Sequence, residues 1–479
     1  MSENAAVLLE KAQKYGVEQL LEFAKDWAQC NGLVMRHKDS KTISDFGQLC
    51  PFALLPSPFS GKLFKQAMDV QKDTNLLYFL LAFDHDFLMD NYMCHNRLDN
   101  GFEGAQLKQV EVNNIASSFG ALASKTAILH KEVLNELLSS DNGSEKFENV
   151  KEIMEEFLPE SNDALATVAT GIYEAWRVYC AEYGVENCAI LFVCDKIEGN
   201  HFDQAHVQFE ILKMARDDKP AKSQSPKIVF ISLGDCYDRL TLSAASNKLL
   251  LDEKLEVGVV YFRSGYVPTS YTDERCYAAR ELIELSNAIK CPWIGLQLAN
   301  TKKMQQVLAT PGAVERYLPS DRAASVRATF AGLYELRADA PVLTRVRADC
   351  ADFVLKPQLE GGGSNFFGED ILRKLDELSE EEMRAYILME RLRPVRFENY
   401  LVRPSLSTDT PFKPSKCVSE LGVFGYLIGN FKNGEKEKKK HEILKNECTN
   451  GYMLRTKNVE ENEGGVMAGA SVIDSVFLV

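Results

Sequence analysis

Short apolar runs alternate with a helical segment from Asn187 onward, and this alternation most constrains the fold. Cys188–Val193, Ile228–Ser232 and Val257–Phe262 are short and mostly apolar, while Asp203–Met214 between the first two has helical spacing. Strands buried on both faces have such runs, and a helix is the usual connection between two parallel strands. The pattern therefore predicts a parallel βαβ unit.

The region before this unit has a different pattern. Apolar residues at helical spacing predict helices at Ala5–Ala28, Phe64–Phe83 and Ala121–Leu138, around one strand at Gln106–Val112. We therefore expect residues 1–186 to form a helix-rich part of the protein, followed by a βαβ domain at residues 187–302.

Residues 303–479 combine helices with strands that the pattern predicts to be antiparallel. A helix capped by Thr272-Asp273-Glu274 and running through Cys276 to Ile289 precedes this region, and the Cys291-Pro292 pair interrupts the chain. The further predicted elements are helices at Ala323–Leu336 and Asp370–Leu378, a strand from Phe353, and strands at Tyr386–Glu390 and Cys417–Ile428. The predicted fold class is mixed, α+β with an α/β part.

Composition narrows the function classes. The 479 residues carry a formal net charge of −14, and no long basic surface is apparent, which argues against a nucleic-acid partner. The longest apolar run, Leu76–Phe83, is too short to span a bilayer, and the polar start has no apolar signal core. We expect a cytosolic protein without a membrane partner. Lysine-rich Lys432–Lys440 is predicted to be the exposed tip of a hairpin.

Cysteine and histidine spacing indicates no metal-binding motif. None of the 12 cysteines stands in a Cys-x-x-Cys pair, so we expect reduced and mostly buried thiols. His201 and His206 flank Asp203, but this spacing lacks the paired ligands of a zinc centre.

The segment Phe353–Asn365 runs from a predicted buried strand into three consecutive glycines, Gly361–Gly363. Glycines allow close approach of backbone N–H groups to phosphate oxygens, Lys356 adds a cation, and Glu360 offers an oxygen ligand for Mg²⁺. The segment is neither a Walker A nor a dinucleotide-binding sequence. On these residues alone, a phosphate-binding loop and an ordinary surface turn are both open.

Motifs spread over nearly the whole chain resemble those of the eukaryotic glutathione synthetase family, which are ATP-grasp ligases. The most specific are Lys-Pro-Gln-x-Glu-Gly-Gly-Gly-x-Asn at Lys356–Asn365, Leu-Lys-Gln-Val-Glu-Val-Asn at Leu107–Asn113 and Leu-Arg-Thr-Lys at Leu454–Lys457. Supporting segments are Phe202–Gln204, Tyr261–Tyr266, Thr301–Lys303, Ser419–Gly422 and Gly464–Val466.

The resemblance implies an ATP-grasp fold, with the βαβ domain inserted as a substrate-binding domain and with a glycine-rich lid. It also implies a homodimer that joins γ-glutamylcysteine to glycine after ATP phosphorylates the dipeptide's carboxylate. Phosphoryl transfer to a carboxylate brings like charges together, so such a site needs cations and metal ions, here Mg²⁺, two per site.

The resemblance assigns roles to individual residues. The implied Mg²⁺ ligands are Glu111, Asn113 and Glu360; i, i+2 spacing on a strand would put the first two on one face. The implied catalytic residues are Lys302, Lys356, Gly361, Gly362 and Arg455. ATP would contact Glu111, Lys302, Lys356, Glu360, Gly361, Gly362, Gly363, Asn365, Phe367, Met389, Glu390, Arg391, Leu392, Glu420 and Lys457.

The peptide substrates would contact a second set, in which arginines suit carboxylates through bidentate hydrogen bonds. This set is Ser118, Glu198, Asn200, Gln204, Arg263, Tyr266, Arg455, Val466 and Met467, with Gly464–Ala470 as a loop that closes over the substrate. Without the resemblance, Met389 would be interpreted as a core residue, and Arg263 and Arg455 as surface cations.

Two of the chain's departures from the family pattern affect the expected substrate site. Phe83–Gln106 is several tens of residues shorter than usual, and Arg97 is the remaining candidate for a substrate-binding arginine there. Met467 adds bulk to the substrate loop. Two alternative functions therefore stay open: a nucleotide-binding homologue with lost or reduced ligase activity, and a ligase for another acceptor amino acid.

Overall fold

A computed structural model describes residues 3–37, 39–83, 105–139, 150–218, 225–359, 363–404, 412–432 and 440–479. The α-helices of these residues are Glu3–Tyr15, Val17–Cys30, Gly61–Leu81, Gly120–Ser139, Val150–Phe157, Ala164–Tyr183, His201–Asp217, Leu233–Arg239, Glu274–Leu285, Ile294–Ala299, Lys302–Leu308, Ser320–Ala328, Val342–Ala348, Glu369–Glu377 and Glu380–Met383.

The predicted βαβ unit is confirmed. Ala189–Val193 pairs in parallel with Lys227–Ile231 and with Leu255–Phe262, and Ile289–Cys291 pairs in parallel with the latter. The helix His201–Asp217 connects the first two strands. All five residues of Ala189–Val193 are buried, as expected for a strand covered on both faces. We call these four strands the parallel sheet; the antiparallel strands Leu240–Leu242 and Leu249–Leu251 extend it.

Two sheets, antiparallel except where Ser471–Asp474 pairs in parallel with Phe52–Ala53, lie mostly in the C-terminal half. The small sheet has the order Leu333–Glu335, Tyr386–Glu390, Phe353–Pro357 and Phe366–Phe367. The large sheet has the order Phe397–Asn399, Ser415–Val423, Tyr452–Asn458, Ser471–Asp474, Phe52–Ala53 and Leu401–Val402. Phe52–Ala53 comes from the N-terminal part, so the large sheet joins distant parts of the chain.

Three two-stranded pairs complete the strands of the described residues. They are Val34–Arg36 with Gly47–Leu49, Ser57–Phe59 with Val476–Leu478, and Tyr426–Lys432 with Lys440–Glu447. The last pair confirms a hairpin at the lysine-rich segment. The predicted tip itself, residues 433–439, lies outside the described residues.

The N-terminal helices surround Gly120–Ser139, whose apolar residues Leu122, Leu129, Val133 and Leu137 are buried in one core with those of Glu3–Tyr15 and Val17–Cys30. Each fully buried leucine or valine contributes about 1.5–3 kcal/mol relative to exposure. The predicted single helix Ala5–Ala28 is interrupted at Gly16, where φ is +104°. This conformation is open to glycine and strained for other residues.

The predicted strand Gln106–Val112 is wrong, because residues 105–114 contain no regular secondary structure. Their backbone groups bond to loops and side chains instead of a neighbouring strand. The N–H of Gln109 donates to the carbonyl of Thr329 at 2.7 Å, and the N–H of Asn114 donates to Oδ1 of Asn300 at 2.6 Å.

Three other predicted elements have different boundaries. The helix from Glu274 ends at Leu285, not Ile289, because Ser286 is extended and Ile289–Cys291 joins the parallel sheet. Helix Ser320–Ala328 ends before Leu333–Glu335, which pairs with the small sheet, so Ala323–Leu336 is not one helix. The predicted strand Cys417–Ile428 is two strands. Within the described residues, no helix is long and apolar enough to cross a membrane.

Candidate functional site

Cations from three separate segments converge on Glu111. Burial alone would raise the pKa of this carboxyl group, but the charges of Lys302, Lys356 and Arg455 outweigh burial and lower the pKa. Asn113 contributes a hydrogen bond from Nδ2 to Oε1 of Glu111 at 3.2 Å. The segment is not a strand, yet these two side chains do lie together, as i, i+2 spacing predicted.

Lys302 and Lys356 are both nearly buried, with 5% and 7% of their surfaces exposed. Lys302 begins the helix Lys302–Leu308, and its Nζ donates to the carbonyl of Leu359 at 2.6 Å. Lys356 lies on the central strand Phe353–Pro357 of the small sheet. Two buried ammonium groups beside one carboxylate form a concentrated positive site, which suits an anion.

The large sheet supplies a second cluster of charged side chains, next to the lysines around Glu111. Glu420 and Arg455 are directly opposite each other on adjacent strands. Oε2 of Glu420 accepts a hydrogen bond from Nη2 of Arg455 at 2.9 Å, and its Oε1 lies 3.4 Å from Nζ of Lys457. Alternate residues of a strand share a face, so Arg455 and Lys457 project from the same side of the sheet. Glu420 holds both cations in place.

Glu463 connects the glycine-rich segment to the substrate loop, and sequence reasoning missed it. Its Oε2 accepts from the N–H of Gly363 at 2.6 Å, and its Oε1 accepts from the N–H of Asn365 at 3.0 Å. Two neighbouring N–H groups therefore converge on an anionic group, as in a phosphate-binding loop. Because the contact spans about 100 residues, no local sequence signal could reveal it.

Arg391 and Phe367, both predicted to contact ATP, are next to each other. The guanidinium carbon of Arg391 lies 5.6 Å from the centre of the Phe367 ring, which is a cation–π distance. Nη2 of Arg391 also donates to Oδ1 of Asn462 at 2.8 Å. Glu360, Gly361, Gly362 and Arg97 lie outside the described residues, so their predicted roles remain predictions.

Met389 and Glu390 occupy the end of strand Tyr386–Glu390. Met389 is buried, while Oε1 of Glu390 accepts from the hydroxyl of Tyr334 at 2.8 Å and from Nη2 of Arg345 at 3.1 Å. The Glu390 carboxylate is thus held by Tyr334 of the small sheet and by Arg345 of the helix Val342–Ala348. Leu392 is half-buried just beyond the strand.

Predicted substrate residues gather at the end of the parallel sheet. Arg263 directly follows strand Leu255–Phe262 and donates through Nη1 to the carbonyl of Ser117, next to Ser118. Burial would lower the pKa of Arg263, but Tyr261 and Asp203 raise it. Within the described residues, Nε of Arg263 and Oδ1 of Asn200 are buried without a hydrogen-bond partner. Such atoms are costly to bury unless a ligand satisfies them.

Glu198 and Gln204 are connected to each other and to Asn200. Oε2 of Glu198 accepts from Nε2 of Gln204 at 2.8 Å, and its Oε1 accepts from the N–H of Asn200 at 2.7 Å. Cys194 donates to Oε1 of Gln204 at 2.9 Å. Burial, followed by the nearby carboxylates, raises the pKa of Tyr266. The structure thus brings Glu198, Asn200, Gln204, Arg263 and Tyr266 into one region.

The substrate loop Gly464–Ala470 lies against this region through Met467. Cε of Met467 is 3.1 Å from the position that a Cβ on Gly199 would take. Half of Met467 is exposed, whereas Val466 is buried in the N-terminal core. Nη2 of Arg403 donates to the carbonyl of Ala470 at 2.9 Å and so fixes the end of the loop.

His201, Asp203 and His206 do not form a metal site. Buried Asp203 accepts hydrogen bonds from the N–H groups of Phe119 and Ala121, at 2.9 and 3.0 Å, and caps the helix Gly120–Ser139. His206 faces the carbonyl of Gly32. Elsewhere in the described chain, no three His, Cys, Asp or Glu side chains are grouped as metal ligands.

The site therefore defines a class of protein: one with cationic side chains from the small and large sheets that suit an anionic ligand, beside a parallel sheet with buried polar groups. The family model described as eukaryotic glutathione synthase, ATP binding domain, matches residues 14–91 and 90–478. This chain belongs to the eukaryotic glutathione synthetase family, which confirms the resemblance found in the motifs.

Individual relatives match over nearly their full length. The chain is 34% identical to the glutathione synthetase of Homo sapiens in an alignment 519 residues long, which covers 100% of each chain. It is 34% identical to that of Xenopus laevis, with 97% of each chain covered. A solved structure, a glutathione synthetase-like effector from Globodera pallida in its apo form, is 27% identical with a TM-score of 0.68, covering 99% of this chain and 98% of that chain.

Proposed function

We propose that the protein is a glutathione synthetase that forms the amide bond between γ-glutamylcysteine and glycine and converts ATP to ADP and phosphate. Family membership supports the reaction. The observation that carries the proposal for this site is the convergence of Lys302, Lys356 and Arg455 on Glu111. These four residues are far apart in sequence and lie in four different family motifs.

The small and large sheets support an ATP-grasp arrangement in which the nucleotide lies between them. Lys356 projects from the small sheet, and Arg455 and Lys457 project from the large sheet. Phosphoryl transfer depends mainly on positioning and on stabilising charge, and fixed cations supply part of that charge. Lys302, Lys356 and Lys457 would hold the phosphates, with Met389 beside the adenine.

The donor chemistry of Glu111 and Asn113 fits Mg²⁺. The lowered pKa of Glu111 keeps its carboxylate ionised, and both residues carry the oxygen atoms that Mg²⁺ prefers. Bound Mg²⁺ would neutralise phosphate charge and align the oxygens of the two reactants. Glu360 would complete the set by resemblance to the family.

The region around Arg263 fits the dipeptide. The buried, unpartnered Nε of Arg263 and Oδ1 of Asn200 would gain partners from its carboxylate and amino groups. Arg455 lies at the cation cluster and would hold the reacting carboxylate near the phosphate. In the reaction, one carboxylate oxygen attacks the terminal phosphorus of ATP and ADP leaves. The glycine amine then attacks the acyl carbon and expels phosphate.

Isotope transfer tests this pathway. With ¹⁸O in the cysteine carboxylate of γ-glutamylcysteine, the released phosphate should carry one labelled oxygen for each tripeptide formed. Lys356→Met should greatly reduce labelled phosphate, and Lys416→Met, a change at an exposed lysine of the large sheet, should not. Label in AMP, or unlabelled phosphate alongside tripeptide, would rule out the acyl phosphate.

A second candidate is a ligase for a different acceptor amino acid. Met467 favours it, because its side chain lies within contact distance of Gly199 at the substrate region and changes the space available to an acceptor. Competition among glycine, alanine and serine, with the tripeptides separated by mass, distinguishes the two candidates. Preference for glycine in the unchanged chain and in Met467→Ala would argue that Met467 does not select the acceptor.

Three further features of the proposal depend on the family. We propose a homodimer, a cytosolic location and an inserted substrate domain at residues 187–302. The parallel sheet within that range supports the last of these. Sedimentation of the purified chain tests the dimer, and limited proteolysis at the range ends tests the domain.

A further inference from the structure

Two cysteines outside the proposed active site lie within reach of each other. Sγ of Cys180 is 3.5 Å from Sγ of Cys188. Cys180 lies in the last turn of helix Ala164–Tyr183, and Cys188 immediately precedes strand Ala189–Val193. A disulfide has an S–S length of about 2.05 Å, so the sulfurs need to approach by about 1.5 Å.

The fold holds both thiols in this arrangement. The N–H of Val185 donates to the carbonyl of Cys180 at 3.1 Å, and Nε1 of Trp176 donates to the carbonyl of Cys188 at 3.0 Å. A Cβ on Gly258 would lie only 2.6 Å from Sγ of Cys188, so glycine leaves the room that this thiol occupies. The fold therefore already holds the two sulfur atoms close to each other.

The two thiols differ in access to solvent. Cys180 is half-buried and precedes the exposed residues Glu182–Gly184, whereas Cys188 is 2% exposed. Cys180 is therefore the more accessible of the two residues, and the buried Cys188 has the sulfur of Cys180 as its neighbour. This asymmetry is the arrangement of an attacking and a resolving thiol.

We propose that Cys180 and Cys188 are a redox modification site, at which the two residues form a reversible disulfide with each other. The oxidant is a low-molecular-weight disulfide such as glutathione disulfide. The Cys180 thiolate attacks one sulfur of the oxidant and expels one small thiol. Cys188 then loses its proton, attacks the sulfur of Cys180 and expels the second small thiol. The protein loses two electrons and two protons, and the oxidant gains them.

Electrostatics agree with this order. The hydrogen bond from Cys188 lowers the pKa of Cys180, while the same hydrogen bond and burial raise the pKa of Cys188. The charge of Glu256 raises both pKa values, and Nζ of Lys248 lies 2.7 Å from the Glu256 carboxylate. The thiol of Cys194, which follows the strand Ala189–Val193, already donates to Gln204.

Peptide mapping of the full chain tests the site. After incubation with glutathione disulfide and alkylation of remaining thiols, digestion after Lys, Arg and Glu releases residues 178–182 and 187–196 as separate peptides. We expect them to be joined with a loss of about 2 Da, which dithiothreitol reverses. The linkage should persist in Cys194→Ser and disappear in Cys180→Ser.

Two outcomes would overturn the proposal. One is complete alkylation of Cys180 and Cys188 under conditions in which exposed Cys30 forms a mixed disulfide with glutathione. The other is a mixed disulfide on Cys180 that never resolves to a link with Cys188. Neither outcome bears on the ligase activity, because the mapping requires no substrate.

Discussion

At the residue scale, Glu111 is the centre of the proposed site. Three cations lower its pKa, and Asn113 is the neighbouring oxygen donor. We expect Glu111→Gln to reduce turnover by more than about 10-fold, the effect that even supporting residues of metal sites have. The thermal midpoint should fall only modestly, because glutamine keeps the size of the side chain and loses only its attraction to the cations.

Steady-state kinetics at varied ATP and Mg²⁺ check this prediction. Glu186→Gln, a change at an exposed loop residue, is the matched control and should leave turnover unaltered. Normal turnover and normal Mg²⁺ dependence in Glu111→Gln would remove Glu111 from the mechanism.

Asp474 gives a prediction about pH. This buried carboxyl accepts hydrogen bonds from the hydroxyls of Ser57 and Thr456, but burial is the larger effect and raises its pKa from 3.8 to about 7. The folded state therefore binds one more proton than the unfolded state between about pH 4 and 7. The contribution of this carboxyl group to the free energy of unfolding is fully present below about pH 4, and it is lost as the pH rises towards about 7.

Asp474→Asn removes that dependence. We compare the thermal midpoint of the variant with that of the unchanged chain at each pH. The midpoint of the variant minus that of the unchanged chain should be larger at about pH 7 than at about pH 5. Nearby His130, whose pKa burial lowers to about 4, is present in both chains, so the comparison isolates Asp474. Equal differences at the two pH values would show that Asp474 is ionised throughout.

At the scale of elements, Asp203 fixes the start of helix Gly120–Ser139. Its carboxylate accepts from the backbone N–H groups of Phe119, Ala121 and Leu122. Removing a buried cap leaves donors unsatisfied, so Asp203→Ala should lower the free energy of unfolding by about 2 kcal/mol. Asp203→Asn should cost less, because asparagine is also a good cap.

Urea denaturation followed by circular dichroism measures both changes. Asp217→Ala, at the exposed end of the same helix as Asp203, is the control and should have little effect. An Asp203→Ala variant as stable as this control would show that the cap does not stabilise the helix.

Sequence patterns predicted well those elements whose position in the fold is determined by the burial of their side chains. Ala189–Val193 is buried on both faces, and Tyr386–Glu390 was predicted with its observed boundaries. Gln106–Val112 was mispredicted because its alternating pattern fits a strand, while the N–H of Gln109 donates to Thr329 and that of Asn114, just beyond the segment, donates to Asn300. Those partners are far away in sequence, 186 residues for Asn114 and Asn300, so tertiary contacts overrode the local pattern.

At the scale of the whole molecule, the candidate site combines all three sheets. Motif resemblance predicted the residues that meet at Glu111 and those around Arg263, although composition and periodicity alone left the glycine-rich segment undecided. The bridge from Glu463 to Gly363 and Asn365 could not be predicted, because it depends on how two loops meet in space. Spacing within one segment carries no information about such contacts.

The most direct test of the proposed function is turnover of the purified chain with Mg²⁺-ATP, γ-glutamylcysteine and glycine, omitting each in turn. ADP release and the mass of any tripeptide are followed together. We predict glutathione only in the complete mixture, with one ADP released for each tripeptide. ATP binding without tripeptide in any mixture would contradict the proposed function and identify a nucleotide-binding homologue without ligase activity.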